Sequence, residues 1–365
     1  MFCSWRLRTV AVVLAAAAAG AGCLSRPAPP TQNQPAGSSP GVSSAATSFS
    51  HAVPAAQPGR PAQASTSGPA GGLALLSEPQ AGYGFAVDAI DQAKTRVDLA
   101  MYELADQAVE QALIDAAARH VAVTVLLDSR YERTANQLAA AALSGAGVTV
   151  RWASPAAIFH EKALCVDDMV CYVMTGNLTA RYYRDTRDFV VVDRRPADVA
   201  DIVATFAGDL AGGPPTSGGR HGDLVWSPGA TPTLVSLIAS ATKTLLVENE
   251  EMNDPQITAA LVGAARRGVA VEVVMTRSNR FAAAFDTLSG AGVVVRTYRA
   301  DAPLYIHAKA VVADDVTVFV GSENFSVASL HYNRELGVIS RDPTLVRGVA
   351  AQIEADAAQA TPWQP

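Results

Sequence analysis

Two short stretches carry residue types that a plain pair of strands has no use for. Residues 306–324 read IHAKAVVADDVTVFVGSEN and residues 159–177 read FHEKALCVDDMVCYVMTGN. A shift of 147 without a gap lays His160 on His307, Lys162 on Lys309, Asp167 on Asp314, Thr175 on Ser322 and Asn177 on Asn324. The same shift lays Arg187-Asp188 on Arg334-Glu335. Residues two apart on a strand share a face, so each His projects together with its Lys. One such pair is ordinary surface chemistry. Fold maintenance alone, however, would keep apolar residues at these positions, and here a His, a Lys, an Asp, a hydroxyl, an amide and an acid all recur at one shift. Two such sets facing each other supply two imidazoles, two ammonium groups, two hydroxyls and two amides, with no obvious cluster of metal ligands. That pocket suits a phosphoryl group. Lys and Asn meet the charge on its oxygens, one unprotonated His attacks phosphorus, and one protonated His gives its proton to the leaving oxygen. Asp188 and Glu335 each stand 28 residues after the His of their own copy, placed to hold an imidazole tautomer.

The elements that must position these groups repeat as well. VEQALIDAAARHVAVTVLLD (109–128) resembles ITAALVGAARRGVAVEVVMT (257–276), and LSGAGVTVR (143–151) resembles LSGAGVVVR (288–296), at shifts of 148 and 145. Each copy reads as strand, helix, strand, helix, strand, then the hairpin carrying His and Lys, then a further strand and helix. Alternation of this kind predicts an α/β layered fold. The Pro/Gly-rich run GGPPTSGG (212–219) separates a first repeat over 73–215 from a second over 216–365. Two copies in one chain predict a pseudo-twofold arrangement with function on its axis.

The second stretch contains the complete HxK(x)4D(x)6GSxN signature of the phospholipase D superfamily, and the first, HEKALCVD(x)6MTGN, resembles it with Met174 for Gly and Thr175 for Ser. The likeness runs over about residues 75–345. It implies a phospholipase D-like fold in which each repeat is a mixed β-sheet flanked by helices, and a monomer that is an intramolecular pseudo-dimer. By this resemblance His160 is the nucleophile that forms a phosphohistidine and His307 the general acid and base. Lys162, Lys309, Asn177 and Asn324 bind phosphate, Thr175 and Ser322 contact substrate, and no metal or other cofactor takes part. Asp167 and Asp314 belong to the signature but sit beside a second Asp at a hairpin turn, so a turn-forming role and a catalytic one both stand. Met174 adds bulk near the pocket. The activity implied is hydrolysis of a glycerophospholipid to phosphatidate and a free head group. A phosphatidyltransferase of the cardiolipin or phosphatidylserine synthase kind, or a metal-independent endonuclease, would use the same residues, and a binding-only protein is the reading outside catalysis.

Composition bears on these alternatives. Four of the 28 basic residues (Arg6, Arg8, Arg26, Arg60) precede Glu78, whereas all 34 acidic residues lie from Glu78 onward, leaving 24 basic against 34 acidic residues and a formal charge of −10. Such a balance disfavours nucleic acid as partner. Arg6 and Arg8 before the apolar run VAVVLAAAAAGAG describe an export signal over 1–22. Cys23 after Ala21-Gly22 resembles a lipoprotein attachment site, although Gly20 stands where Leu is usual. A lipid anchor at Cys23 on a membrane surface is therefore expected, with plain secretion as the alternative. Residues 23–72, rich in Pro, Ala, Ser and Gly and devoid of acidic residues, read as a flexible linker. Cys165 and Cys171 map onto Val312 and Val318 and are either two buried apolar residues or a cross-strand disulfide. The cluster Glu248-Asn249-Glu250-Glu251 is either solvated loop charge or a carboxylate lip for a cationic head group. The loops at 129–136 and 276–285, with Phe281 and Phe285, border the cleft or form core, as do Trp152 and Tyr305.

Overall fold

The computed structural model describes residues 72–213 and 219–364. The export segment, Cys23 and the linker up to residue 71 lie outside the described residues. The first copy contributes strands β1 (Leu73–Glu78), β2 (Arg96–Met101), β3 (Ala122–Leu127), β4 (Thr149–Trp152), β5 (Ala163–Val166), β6 (Val170–Met174) and β7 (Thr186–Asp193). The second contributes β8 (Leu224–Ser227), β9 (Thr244–Glu248), β10 (Ala270–Thr276), β11 (Val294–Tyr298), β12 (Ala310–Ala313), β13 (Thr317–Gly321) and β14 (Glu335–Ser340). Their sheets run β1-β7-β6-β5-β2-β3-β4 and β8-β14-β13-β12-β9-β10-β11, the same order twice, with short strands Gly219–His221 and Thr361–Pro362 at the edges of the second. The β2-β3-β4 and β9-β10-β11 pairings are parallel and the remaining pairings along these two paths antiparallel, so both sheets are mixed.

The helices are α1 (Gly84–Gln92), α2 (Gln107–Ala118), α3 (Gln137–Gly145), α4 (Pro196–Leu210), α5 (Thr231–Ser240), α6 (Pro255–Arg266), α7 (Ala282–Gly290), the single turn α8 (Val327–His331) and α9 (Pro343–Gln359). Parallel neighbours need a crossover, and α2, α3, α6 and α7 supply it. Helix starts are written into the sequence. Asp106 and Asp254 cap α2 and α6 by accepting from the second and third helical N–H groups, and Pro255 fixes φ at the first helical position. Val109, Ala112, Leu113 and Ala116 then recur at helical spacing to bury one face of α2.

Strand alternation divides the core into three. Leu164 and Val166 face an outer core under α1–α3, Val311 and Ala313 face its counterpart under α5–α7, and Ala163, Cys165, Ala310 and Val312 face a central core shared by both sheets and completed by α4 and α9. Cys165 and Cys171 stand opposite each other across β5 and β6 and are joined in a disulfide, where the second copy has Val312 opposite Val318. Phe281 and Phe285 are core residues of the second outer cluster. Among the described residues, no helix is long and apolar enough to cross a membrane.

The hairpin aspartates hold strands rather than substrate. Asp167 and Asp168, like Asp314 and Asp315, have φ of 54–55°, the left-handed region, which Asp tolerates, in turns closed by Met169 N–H to Val166 O and Val316 N–H to Ala313 O. Asp167 accepts from the backbone N–H of Lys94, Thr95 and Arg96 and from the Thr95 hydroxyl. Asp314 does the same for Thr242, Lys243 and Thr244. Each stands seven positions after its His, about 23 Å in extended chain. Of the two roles left open for these residues, the structure displays the turn.

Candidate active site

Both histidines lie just before a hairpin strand, and each is fixed by backbone bonds to the opposite copy. The His160 N–H donates to Arg334 O at 2.9 Å, next to a bridge between Phe159 and Arg334. The His307 N–H donates to Arg187 O at 3.2 Å, after Tyr305 and Ile306 have paired with Thr186 and Arg187. Each His is thereby set beside the acid that opens the other copy's strand. His160 Nδ1 lies 2.7 Å from Glu335 Oε2, and His307 Nδ1 lies 2.8 Å from Asp188 Oδ1. This corrects the expectation drawn from the 28-residue spacing within a copy. The acid serves the imidazole of the other copy, because the short strands before the two histidines cross over to pair with it.

The acids are braced from behind. Thr175 Oγ1 donates to Asp188 Oδ1 at 2.6 Å and accepts from the Phe189 N–H at 2.9 Å, while Tyr83 Oη reaches Asp188 Oδ2 at 3.3 Å. Ser329 Oγ and Asn333 Nδ2 donate to Glu335 Oε1 at 2.6 and 3.2 Å. Ser322 Oγ accepts from the Leu336 N–H at 3.1 Å. Thr175 and Ser322, expected to touch substrate, are fully buried and bond instead to the strands that carry the acids. Met174 likewise lies away from the pocket, in the first outer core.

Lys162 and Lys309 are completely buried, and each donates from Nζ to the carbonyl of the His two residues earlier. Asn177 and Asn324 follow β6 and β13, and both have an Oδ1 with no hydrogen-bond partner among the described residues. The two sites differ at the next contact. The Lys162 ammonium lies 5.1 Å from the centre of the Tyr102 ring, which also packs edge-on to His160 at 4.6 Å. Lys309 meets a carboxylate instead. Glu250 Oε2 is 3.1 Å from Lys309 Nζ, 3.3 Å from Asn324 Nδ2 and 3.5 Å from His307 Nε2, and its Oε1 accepts from Tyr305 Oη at 3.1 Å. Glu248, Asn249, Glu250 and Glu251 are all buried, so solvated loop charge is not what this cluster is. Tyr305 lines the site, whereas Trp152 packs against the first outer core under the Arg133 guanidinium. Tyr102, Ser329 and Asn333 carry no motif and were not legible beforehand. Tyr102 was recoverable only by setting the residues just after β2 and β9 side by side.

Charge states follow from burial and neighbours. Burial, reinforced by Lys162, holds the His160 imidazole below its ordinary pKa despite Glu335. Burial alone would raise Asp188 and Glu335. The facing imidazole, then a lysine and the bracing hydroxyl, bring each below the usual carboxylate range. Burial is likewise overcome at Glu250 by Lys309 and then by the two histidines. The crossed bonds from His160 to Glu335 and from His307 to Asp188 tie the two copies' motifs together, and Glu250 lies against His307 Nε2 there.

Comparison with known proteins agrees with this construction. A family model described as "Cardiolipin synthase, PLD-like domain" matches residues 86–210 and again 234–357. Cardiolipin synthase B of Salmonella typhi is 26% identical over 321 residues, covering 74% of this chain and 77% of that one. A protein named phospholipase D from Rickettsia typhi is 31% identical over 120 residues, covering 32% of this chain and 57% of that one. Among solved structures, phosphatidylserine synthase of Haemophilus influenzae superposes with a TM-score of 0.62 at 14% identity, over 80% of this chain and 87% of that one, which is a likeness of fold.

Proposed function

The chain belongs to the phospholipase D superfamily, and we propose that within it the protein transfers a phosphatidyl group from a glycerophospholipid to an alcohol through a phosphohistidine. Hydrolysis, the activity to which the sequence motif first pointed, is the same reaction with water as the acceptor and stands as the second reading. The breadth of the likeness to cardiolipin synthase B favours transfer, and the shorter likeness to a phospholipase D keeps hydrolysis open. The observation that carries the proposal is the crossed pairing: each imidazole is held at Nδ1 by a buried carboxylate, so Nε2 is the nitrogen that reacts.

His160, kept unprotonated by burial, attacks phosphorus from Nε2. The bond from phosphorus to the head-group oxygen breaks, and that oxygen takes the proton from His307 Nε2. His307 is suited to carry this proton because Asp188 faces one of its nitrogens and Glu250 the other. An incoming hydroxyl then gives its proton to His307 Nε2 and attacks phosphorus. The P–N bond breaks and neutral His160 is restored. Lys162, Lys309, Asn177 and Asn324 meet the phosphoryl oxygens throughout.

We also infer an exported enzyme, tethered to a membrane through Cys23 and working as a monomer, on the strength of residues 1–23 and the internal repeat. Mass spectrometry of the mature N-terminus decides the tether: a diacylated Cys23 is expected, and an unmodified start elsewhere removes it.

The test of function is incubation of the full chain with phosphatidylcholine vesicles and glycerol, followed by lipid analysis and, in parallel samples, an alkaline denaturing quench. Phosphatidylglycerol together with an acid-labile phosphoenzyme, both abolished in His160→Asn, is the expected result. Phosphatidate alone would select hydrolysis. Plasmid nicking without lipid turnover, or binding without any product, would overturn the proposal.

A further inference from the structure

The repeat is broken at one position that faces the chemistry. Along β2 and β9 the offset is 148, since Val97 pairs with Val166 where Leu245 pairs with Ala313, and the same offset relates the helix caps Asp106 and Asp254. It matches Tyr102 with Glu250. The same place in the two halves thus holds an aromatic ring against Lys162 on the His160 side and a carboxylate against Lys309 on the His307 side.

We infer that Glu250 sets the charge class of the alcohol that leaves from, or attacks, phosphorus: the alcohol subsite admits cationic and neutral alcohols and rejects those bearing a phosphate of their own. The inference rests on the proposed transfer reaction, in which the alcohol oxygen exchanges its proton with His307 Nε2. Whatever lies against that nitrogen lines the alcohol subsite, and Glu250 Oε2 lies 3.5 Å from it. Tyr305 Oη fixes the other carboxylate oxygen, so the charge is held in place. Burial opposes ionisation of this group, but Lys309 and then His307 overcome it.

Substrate phosphate competes for Lys309 when it binds, and the Glu250 charge then faces the alcohol directly. An ammonium group is attracted there and a polyol finds an acceptor. A second phosphate about 7 Å away meets repulsion that, at an effective dielectric near 20, is worth roughly tenfold to a hundredfold in rate. Glu103 and Glu251, at the next matched pair, face Arg181 at 2.8 Å and Arg280 at 3.6 Å, so their charge is met by arginine at the rim. The alcohol itself meets Glu250.

The test gives the full chain phosphatidylcholine vesicles with equal concentrations of ethanolamine, glycerol and glycerol 3-phosphate, and measures the ratio of the three phosphatidyl products. A ratio taken within one preparation is independent of how much enzyme is folded. The wild-type protein is expected to use ethanolamine and glycerol at least tenfold better than glycerol 3-phosphate, and Glu250→Gln to erase most of that preference. Glu250→Asp should retain it. Equal or preferred use of glycerol 3-phosphate by the wild type overturns the inference even if Glu250→Gln does not fold, as does an unchanged ratio in a folded Glu250→Gln. Phosphoenzyme formation in the same samples separates the two levels. A trapped phosphohistidine with the wrong preference removes only the role of Glu250, whereas absence of both phosphoenzyme and product removes the transfer reaction and this inference with it.

Discussion

Replacing Glu335 by Gln probes the crossed pairing most directly, because the two ways of pairing acid and imidazole predict damage to different steps. Glu335 is fully buried and lies 2.7 Å from His160 Nδ1. Two unit charges about 4 Å apart at an effective dielectric near 20 interact by about 4 kcal/mol, and a hydrogen bond to a charged partner is worth about 1.5–3 kcal/mol net. Loss of some 2–4 kcal/mol from the attacking group corresponds to roughly 30- to 1000-fold in rate. The Gln amide can in addition donate to Nδ1 and force the wrong tautomer, with the proton on the attacking nitrogen. In rapid-quench experiments Glu335→Gln should slow phosphoenzyme formation by that factor. It should also move the acid limb of formation to lower pH, since the carboxylate that favoured the imidazolium is gone. Asp188→Asn, by contrast, impairs the imidazole that protonates the leaving oxygen, and a nitrophenyl leaving group, which needs no proton, should restore formation in that variant but not in Glu335→Gln. Phosphoenzyme formation at the parental rate in Glu335→Gln, with only its breakdown slowed, would show that the acid acts on the His of its own copy and would refute the reasoning.

Two further outcomes follow from the elements around the site. Asp314→Asn should lower stability by about 1–2 kcal/mol in thermal or denaturant unfolding, because three N–H groups and a hydroxyl lose a charged acceptor at a part-exposed turn, while activity per folded molecule is kept. Burial would raise this carboxyl, but its hydrogen bonds bring it down to about 2; the extra stability is therefore present above the usual Asp value near 3.9 and lost as pH falls toward 2, so the difference between parent and variant should close over that window. Gly321→Ala places a Cβ against the Glu323 carboxyl and 2.5 Å from Gly337 Cα. A loss of about 2–4 kcal/mol is expected in denaturant unfolding, and Glu323→Ala should not rescue it, because the Gly337 backbone remains in the way.

Much of this architecture was legible in the residues. The gapless shift of 147 located both hairpins, and Val-rich runs alternating with Ala/Leu-periodic segments gave two α/β copies, although each copy has one strand and helix more than that reading, β1 with α1 and β8 with α5. The residues that line the site announced themselves because strands do not otherwise spend His, Lys and Asn on one face. What could not be read was which acid meets which imidazole. Spacing along a chain reports neighbours within a copy, whereas the partnership depends on Tyr305 and Ile306 leaving their own sheet to pair with Thr186 and Arg187. The roles of Thr175 and Ser322 were misjudged for a related reason: a hydroxyl is as useful to the backbone of the adjoining strand as to a phosphate. Glu250 stood in a cluster readable either as solvated loop charge or as a carboxylate lip for a cationic head group, and its burial against Lys309 is a tertiary fact.

The two halves share a fold and the His, Lys and Asn of the motif, so any difference between their histidines must come from other residues, and the buried carboxyls supply it. Glu161, Glu323 and Glu335 lie together on the His160 side and act on one another electrostatically. Three adjacent buried carboxyls cannot all ionise. Glu335 takes the charge because His160, Ser329 and Asn333 all bond to it. Burial pushes Glu161 up to about 8, against the pull of the Arg334 guanidinium 3.7 Å away, and Glu323 well above the carboxylate range, so both resist ionisation. Their matched positions in the other half hold Ala308 and Gly176. Room for Glu323 is made by Gly321 and Gly337, where the first copy places Met174 opposite Val190. The His160 side therefore has one carboxylate directly against its imidazole and two carboxyls behind it that burial pushes up, whereas the His307 side has Asp188 and Glu250, both brought below the carboxylate range, around one ring. Burial, reinforced by Lys162, holds the His160 imidazole below its ordinary pKa and able to attack; on the other ring Asp188 takes one nitrogen and Glu250 faces the second. The division of labour between the two matched histidines is thus set by buried carboxyls in which the two copies differ.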